Sequence, residues 1–285
     1  ASEPIPLDKL GMTDRNLREM KGIAEKPYGL VLVVGPTGSG KTTTLHSVLG
    51  YINKPERKIW TAEDPVEITQ YGLRQVQVNP KIGFTFATAM RAFLRADPDV
   101  IMVGEMRDEE TASTGIEASL TGHLVFSTLH TNSSVETVIR LLDMGLDPFN
   151  FADALLAVLA QRLVRRICDK CKESYHPGQD EYDEIARAYG KEEFEKLVKY
   201  DDGFVLYRGK GCANCNNSGY RGRAGIHELL VATEEMKRLI QTKARVTDML
   251  VAAKSEGMTT LVQDGILKAL SGVSDFRQVK AVAIK

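Results

Sequence analysis

Strand-length runs of consecutive apolar residues alternate with amphipathic stretches of helical spacing through much of this chain. Tyr28–Val34 is a compact apolar run closed by Gly35, the pattern of a strand buried on both faces. A helix is predicted from Lys41 to about Ile52, and Ile59–Ala62 reads as a second short strand leading into Glu63-Asp64-Pro65. Gln75–Val78 alternates polar and apolar, as an edge strand or hairpin arm does. Between Thr85 and Ala96, Phe86, Met90, Phe93 and Leu94 share one helical face. Asp99–Val103 is the next buried strand, and Asp108 caps a helix to about Leu120. Leu124–Thr128 is a further strand, and Asn132 or Ser133 caps a helix that stops before Gly145. A shorter helix is predicted near Asp14–Glu25.

Strands and helices alternating at this spacing imply βα units and a parallel sheet covered on both faces. The pattern changes after Arg166. Residues 168–215 are polar and charged, and beyond Arg223 come one strand-like run, Ile226–Val231, and helices to the end. Four regions are therefore expected: 1–26 as a linker, 27–167 as an α/β core, 168–215 as an insert, and 216–285 as a mainly helical C-terminal region.

Composition narrows the class. At 285 residues with 43% hydrophobic and 26% charged residues, the chain has the make-up of a soluble globular protein with a sizeable core. A formal net charge of -1 argues against a general nucleic-acid binder, which usually carries a clear basic excess. No stretch approaches the ~20 apolar residues of a membrane helix, so membrane attachment is expected to go through a partner. The opening Ala1-Ser-Glu-Pro-Ile-Pro, without an initiator Met or a signal peptide, reads as a fragment of something longer or as a processed chain.

Gly35-Pro36-Thr37-Gly38-Ser39-Gly40-Lys41-Thr42, followed by Thr43, fits the phosphate-binding pattern G-x-x-x-x-G-K-[ST] between a strand and a helix. Glycines let the backbone curl so that successive N–H groups face phosphate oxygens, and the helix beginning at Lys41 adds its positive N-terminus. Lys41 is the expected point charge on the β- and γ-phosphates of ATP, and the Thr42 hydroxyl the expected Mg²⁺ ligand.

Such a loop needs an acid at the end of a neighbouring strand. Val100–Val103 offers Glu105, with Gly104 intervening where an Asp would usually follow the apolar run directly. Glu63 and Asp64 form a second acidic cluster at a strand end, where α/β ligand sites form; on spacing alone a charged turn is an equal reading. His123 and His130 stand at opposite ends of one strand, and a polar group at its carboxyl end suits sensing of a γ-phosphate. His46, His176 and His227 read as structural or surface residues.

Taken together, these segments resemble the type II secretion and type IV pilus assembly ATPases, the GspE/PilB family of secretion motors. Pro27–Thr42 looks like its Walker A segment, Glu63-Asp-Pro-Val-Glu67 like its aspartate box, Leu94–Asp108 like its atypical Walker B and Gly122–Asn132 like its histidine box. Gly219–Leu229 and the stretch from Glu256 through Gly265 also fit. The resemblance implies a RecA-like core that assembles as a homo-hexamer with ATP between subunits. It implies Glu105 as the carboxylate acting on the attacking water, Glu63 near metal and water, and His130 reading the nucleotide state. It further implies a cytoplasmic motor, peripheral at the inner membrane through platform and recruitment proteins, without nucleic acid or direct membrane insertion. Family members carry N-terminal domains that supply arginines to the site; within this chain Arg91, Arg95 and Arg107 are the local candidates.

Cys168-x-x-Cys171 and Cys212-x-x-Cys215 account for all four cysteines. Two such pairs fit a tetrahedral Cys₄ zinc site, with Zn²⁺ replacing burial that a short polar segment cannot supply. Many family members carry a tetracysteine insert and pilus-retracting ones generally lack it, which favours an assembly or secretion motor. Neither pair opens a helix after a strand, against thioredoxin-like redox chemistry. Two other functions use the same core: a nucleic-acid-translocating ATPase, disfavoured by the charge balance and the lack of interleaved basic and aromatic residues, and a nucleotide-sensing scaffold, disfavoured by Lys41, Thr42 and Glu105 together.

Overall fold

The computed structural model describes residues 3–284, and the chain divides into two compact units: residues 1–161 with 229–258, and residues 162–228 with 259–285. The first unit begins with helix α1 (Asp14–Ala24), strand β1 (Gly29–Val34), helix α2 (Lys41–Ile52) and strands β2 (Ile59–Glu63) and β3 (Leu73–Gln77). It continues through α3 (Phe86–Ala96), β4 (Val100–Val103), α4 (Glu109–Leu120), β5 (Leu124–Leu129), α5 (Ser134–Asp143) and α6 (Pro148–Ala154). Strand β6 (Leu155–Ile167) runs out of the first unit into the second, which holds β7 (Lys172–Tyr175), α7 (Gln179–Tyr189), α8 (Lys191–Leu197) and β8 (Leu206–Gly209). Strand β9 (Tyr220–Val231) returns to the first unit, where α9 (Glu234–Gln241) and α10 (Val246–Ser255) follow; α11 (Leu261–Leu270) and α12 (Phe276–Ala283) belong to the second.

The expected elements through Asp143 form within a few residues of their predicted limits, because each is delimited by local chemistry. Thr13, Thr85, Asp108 and Ser133 each accept a hydrogen bond from the backbone N–H three residues on, satisfying a donor that the helix start would leave orphaned. Ser133, of the two candidates, is the cap of α5.

A seven-stranded sheet has the order β3-β2-β4-β5-β1-β6-β9. Strand β1 pairs in parallel with β5 and β6, and β4 in parallel with β2 and β5. Every residue of β1 and β5 is buried, as continuous apolar runs in the middle of a helix-covered parallel sheet must be. Strand β3 lies at the sheet edge, parallel to β2, so its alternation reflects an edge strand and not a hairpin arm. The core of this unit packs Val31, Val33, Leu45, Leu49, Phe126 and Leu159 with Met20 and Ile23 of α1. Strand β6 is an element the sequence pattern does not announce, since its run Leu155–Ala160 shows neither alternation nor helical spacing.

In the second unit β7 and β8 pair antiparallel. The segment between the cysteine pairs is less polar in effect than expected: Tyr182, Ile185, Phe194 and Phe204 are buried and pack with Ile266 of α11 and Phe276 and Val279 of α12. The unit boundaries at 161/162, 228/229 and 258/259 therefore depart from those expected at 168 and 215, because two C-terminal helices complete the core of the intervening segment.

Candidate functional site

A parallel sheet delivers the carboxyl ends of its strands to one edge. Gly35 follows β1, Glu63 ends β2, Glu105 follows β4 and His130 follows β5. The order β4-β5-β1 inserts one strand between the glycine loop and the strand of Glu105, and that strand carries His130.

The loop has no room for side chains at its start. A methyl on Gly35 would stand 2.5 Å from Ser39 Oγ and 2.6 Å from the Gln161 carbonyl oxygen. Gly40, at φ 86°, is the left-handed residue from which α2 starts, and it caps the helix without any side chain. Pro36, Thr37 and Gly38 are exposed, while Lys41, Thr42 and Thr43 are half-buried on the first turn of α2. Ser39 Oγ is buried with no hydrogen-bond partner among the described residues. An uncapped helix start behind a glycine cradle is the chemistry that fits the phosphates of a nucleotide.

Gln161 staples this loop to β6. Its side-chain oxygen accepts from Thr44 Oγ1 at 2.6 Å, and its Nε2 donates to the Ser39 carbonyl at 2.8 Å. Sequence reading missed Gln161; the available signal was a single amide ending the apolar run Leu155–Ala160.

From Lys41 a chain of polar groups crosses the sheet edge. Lys41 Nζ donates to the Gly35 carbonyl at 2.6 Å and lies 3.2 Å from His130 Nδ1, and His130 Nε2 lies 2.7 Å from Glu105 Oε1. An ammonium only donates, so Nδ1 accepts and the ring proton sits on Nε2, directed at Glu105. The other Glu105 oxygen accepts from Arg107 Nε, and Arg107 NH2 stands 3.8 Å from Asp64 Oδ2. The Arg107 guanidinium also faces the Phe86 ring, 5.5 Å from its centroid. Glu105 is 18% exposed and His130 48%, so both can meet a ligand from solvent. Around them, Thr128 Oγ1 donates to the Gly104 carbonyl at 2.5 Å and Met106 N to the Thr128 carbonyl at 3.0 Å, which ties the Glu105 loop to β5.

Glu63 is turned into the fold. Only 3% exposed, it accepts at Oε1 from His46 Nε2 (2.8 Å) and at Oε2 from Thr61 Oγ1 (2.8 Å) and Gln75 Nε2 (2.9 Å). Burial pushes its carboxyl upward, but the bonds from His46, Gln75 and Thr61 outweigh that and hold it below the usual carboxylate range. Asp64, a third exposed, is the member of this acidic cluster that reaches the Glu105–Arg107 pair.

Of the local arginines, Arg107 is beside Glu105, whereas Arg91 pairs with Glu110 and Arg95 is exposed on α3. His123, at the amino end of β5, directs Nδ1 to the Ala118 carbonyl at 3.0 Å, away from this edge. In the second unit His176 binds the Phe204 carbonyl and His227 is buried.

The four cysteines converge. All four Sγ atoms lie within 4.8 Å of one another, with Cys168–Cys212 and Cys171–Cys215 at 3.8 Å and Cys212–Cys215 at 3.7 Å. Four thiolates at about 2.3 Å around a tetrahedral Zn²⁺ would stand about 3.8 Å apart, so the donor set fits that ion. Backbone N–H groups of Cys212 and Gly219 point at Cys215 Sγ (3.3 and 3.2 Å), that of Gly211 at Cys171 Sγ (3.3 Å), and Asn214 Nδ2 at Cys168 Sγ (3.4 Å). Burial opposes the Cys215 thiolate, yet those N–H groups bring its pKa down to about 6, while burial pushes Cys171 up to about 11.

A parallel sheet with this order, a glycine loop after β1 and an acid after β4 define an α/β, RecA-like P-loop core. The model of the family described as "Type II/IV secretion system protein" matches residues 2–281, and the chain belongs to that family. It is 46% identical over 285 residues to the "Type IV pilus assembly ATPase PilB" of Thermus thermophilus, covering 100% of this chain and 31% of that protein. It is 45% identical over 278 residues to the "Type II secretion system ATPase E" of Vibrio cholerae, covering 98% of this chain and 53% of that one. The chain thus spans about half the length, or less, of these curated relatives. Among solved structures it resembles the pilus retraction motor PilT with bound ADP, with a TM-score of 0.71 and 28% identity over 100% of this chain and 68% of that one. The ATPase DotB of Legionella pneumophila shares the fold, with a TM-score of 0.67 at 24% identity, covering 98% of this chain and 65% of that one.

Proposed function

We propose that this chain is the ATPase portion of a motor that hydrolyses ATP to ADP and phosphate and so drives type II protein secretion or type IV pilus assembly. The observation that carries the proposal is the unbroken run Lys41–His130–Glu105 along the carboxyl edge of the sheet. The loop from Gly35 to Thr43 would take the phosphates on its backbone N–H groups, with Lys41 on the β- and γ-phosphates. Thr42 would hold Mg²⁺, whose charge offsets that of the phosphates. Glu105 accepts a proton from the water that attacks the γ-phosphorus, as the bond to the bridging oxygen of ADP breaks. His130, hydrogen-bonded between Lys41 and Glu105, is the group that senses whether a phosphate has taken Lys41 from it.

In this reading the motor works as a homo-hexamer in the cytoplasm, peripheral to the inner membrane through platform and recruitment proteins. Among the described residues no helix is long and apolar enough to cross a membrane. Cys168, Cys171, Cys212 and Cys215 would hold Zn²⁺, which would tie the turn between β6 and β7 to the segment before β9 in the second unit. Steady-state phosphate release by the parent, Lys41→Ala and Glu105→Gln proteins tests the reading. Turnover at the parent rate in Lys41→Ala would overturn it.

A further inference from the structure

Glu63 and its partners form a closed network under α2 that the proposed reaction leaves without a part. Gln70 Nε2 donates to the His46 carbonyl (3.2 Å) and lies 3.2 Å from His46 Nδ1, while Gln70 Oε1 accepts from Asn53 Nδ2 (3.3 Å). A carbonyl only accepts, so the amide nitrogen of Gln70 faces His46 and Nδ1 must accept. The ring proton of His46 then sits on Nε2 and is donated to Glu63. Gln75 is oriented in the same way: its Oε1 accepts from the Gln70 N–H (2.9 Å), which leaves Nε2 to donate to Glu63 and to the Ile68 carbonyl (2.8 Å).

The result is a carboxylate held by three donors, with no lysine or arginine bonded to it among the described residues, in a nearly sealed place. A buried carboxylate is costly to keep, and apolar replacement of such groups is often neutral or stabilising. Its sign suits one ligand in particular. A fixed negative charge joined to the first turn of α2 through His46 opposes a free nucleotide, which is strongly anionic, and favours one that arrives with a divalent cation. His46 connects that charge to the loop, because it stands four residues after Thr42 on α2, on the same helical face and one turn below it.

We infer that His46 is a positioning residue which, by donating to Glu63, fixes the carboxylate and the first turn of α2 so that the site prefers Mg²⁺-bound over free nucleotide. The inference rests on the proposed nucleotide site. It assigns Glu63 an electrostatic part from within the fold and gives His46, a histidine that reads as structural from the sequence, a specific one.

The test is calorimetric titration of the chain with ATP, once with Mg²⁺ and once with EDTA, in the parent, His46→Leu and His46→Gln proteins. His46→Leu removes both ring nitrogens, whereas Gln carries a donor at the ε position. The ratio of the two affinities should fall about tenfold in His46→Leu, the scale of one lost hydrogen bond to a charged group, and return to within about threefold of the parent in His46→Gln. A structural role alone would lower the melting temperature and weaken both titrations together, without moving the ratio. An unchanged ratio in folded His46→Leu, or an equal fall in His46→Gln, overturns the inference. If His46→Leu does not fold, His46→Asn, too short to reach Glu63, takes its place against His46→Gln with the same two outcomes. Absence of ATP binding in the parent, or undiminished binding in Lys41→Ala, would instead overturn the nucleotide site itself.

Discussion

Replacing Glu105 by Gln changes one atom's chemistry and little of its shape. In the parent, Oε1 accepts from His130 Nε2 at 2.7 Å and Oε2 accepts from Arg107. An amide can satisfy only one of these. With its oxygen toward His130, its NH₂ confronts the Arg107 guanidinium, and Arg107 keeps Asp64 at 3.8 Å and the Phe86 ring. The glycine loop is held through Gln161, on Thr44 and the Ser39 carbonyl, by bonds in which Glu105 has no share. ATP affinity should therefore stay within about threefold of the parent, or about 0.7 kcal/mol. Turnover should fall 10²–10⁴-fold, the usual contribution of a general base, which corresponds to about 3–5 kcal/mol in the barrier. Phosphate release at saturating MgATP, with binding followed in parallel, separates the two quantities. A fall in kcat below tenfold, or a loss of affinity as large as the loss of turnover, would refute the assignment of the base. Should Glu63→Gln show the large fall while Glu105→Gln does not, the part would pass to Glu63.

Lys41→Ala is expected to abolish productive ATP handling, since Lys41 Nζ, held on the loop carbonyls of Gly35 and Pro36, is the cation that the proposed site offers to the phosphates; wild-type turnover would contradict this. Metal analysis should find about one zinc per chain, and Cys171→Ser should speed hydrogen exchange in the second unit while leaving ATP binding intact; protein without metal, or with disulfides under reducing conditions, would refute the site. Burial, aided by the positive charge of Lys268, brings His227 down to about 3 from an ordinary 6.5. The unfolded chain then binds a proton that the folded one refuses, so stability is full above about pH 6.5 and declines toward pH 3, by about 5 kcal/mol at most. Chemical denaturation from pH 7 to 4 should show that decline, and His227→Gln should flatten it; an unchanged slope would count against the assignment.

The sequence by itself determined the local chemistry of this protein. The loop Gly35–Thr43, the cap Asp108, the Asn132-Ser133 start of α5, the buried strands and the paired cysteines each depend on neighbours within a few residues, and patterning reads such features directly. Glu105 and His130 were legible as polar residues at strand ends. That His130 stands between Lys41 and Glu105 was decided by the sheet order, which inserts β5 between β4 and β1. The inward turn of Glu63 was likewise beyond local reading, because its donors His46 and Gln75 come from α2 and β3. Gln161 gained its place at the loop only when β6 paired with β1. The segment between the cysteines acquired its core from helices at the far end of the chain, Ile266, Phe276 and Val279 packing on Tyr182 and Phe194. Contacts of that separation leave no periodicity in either partner, so only the folded chain could bring them to view.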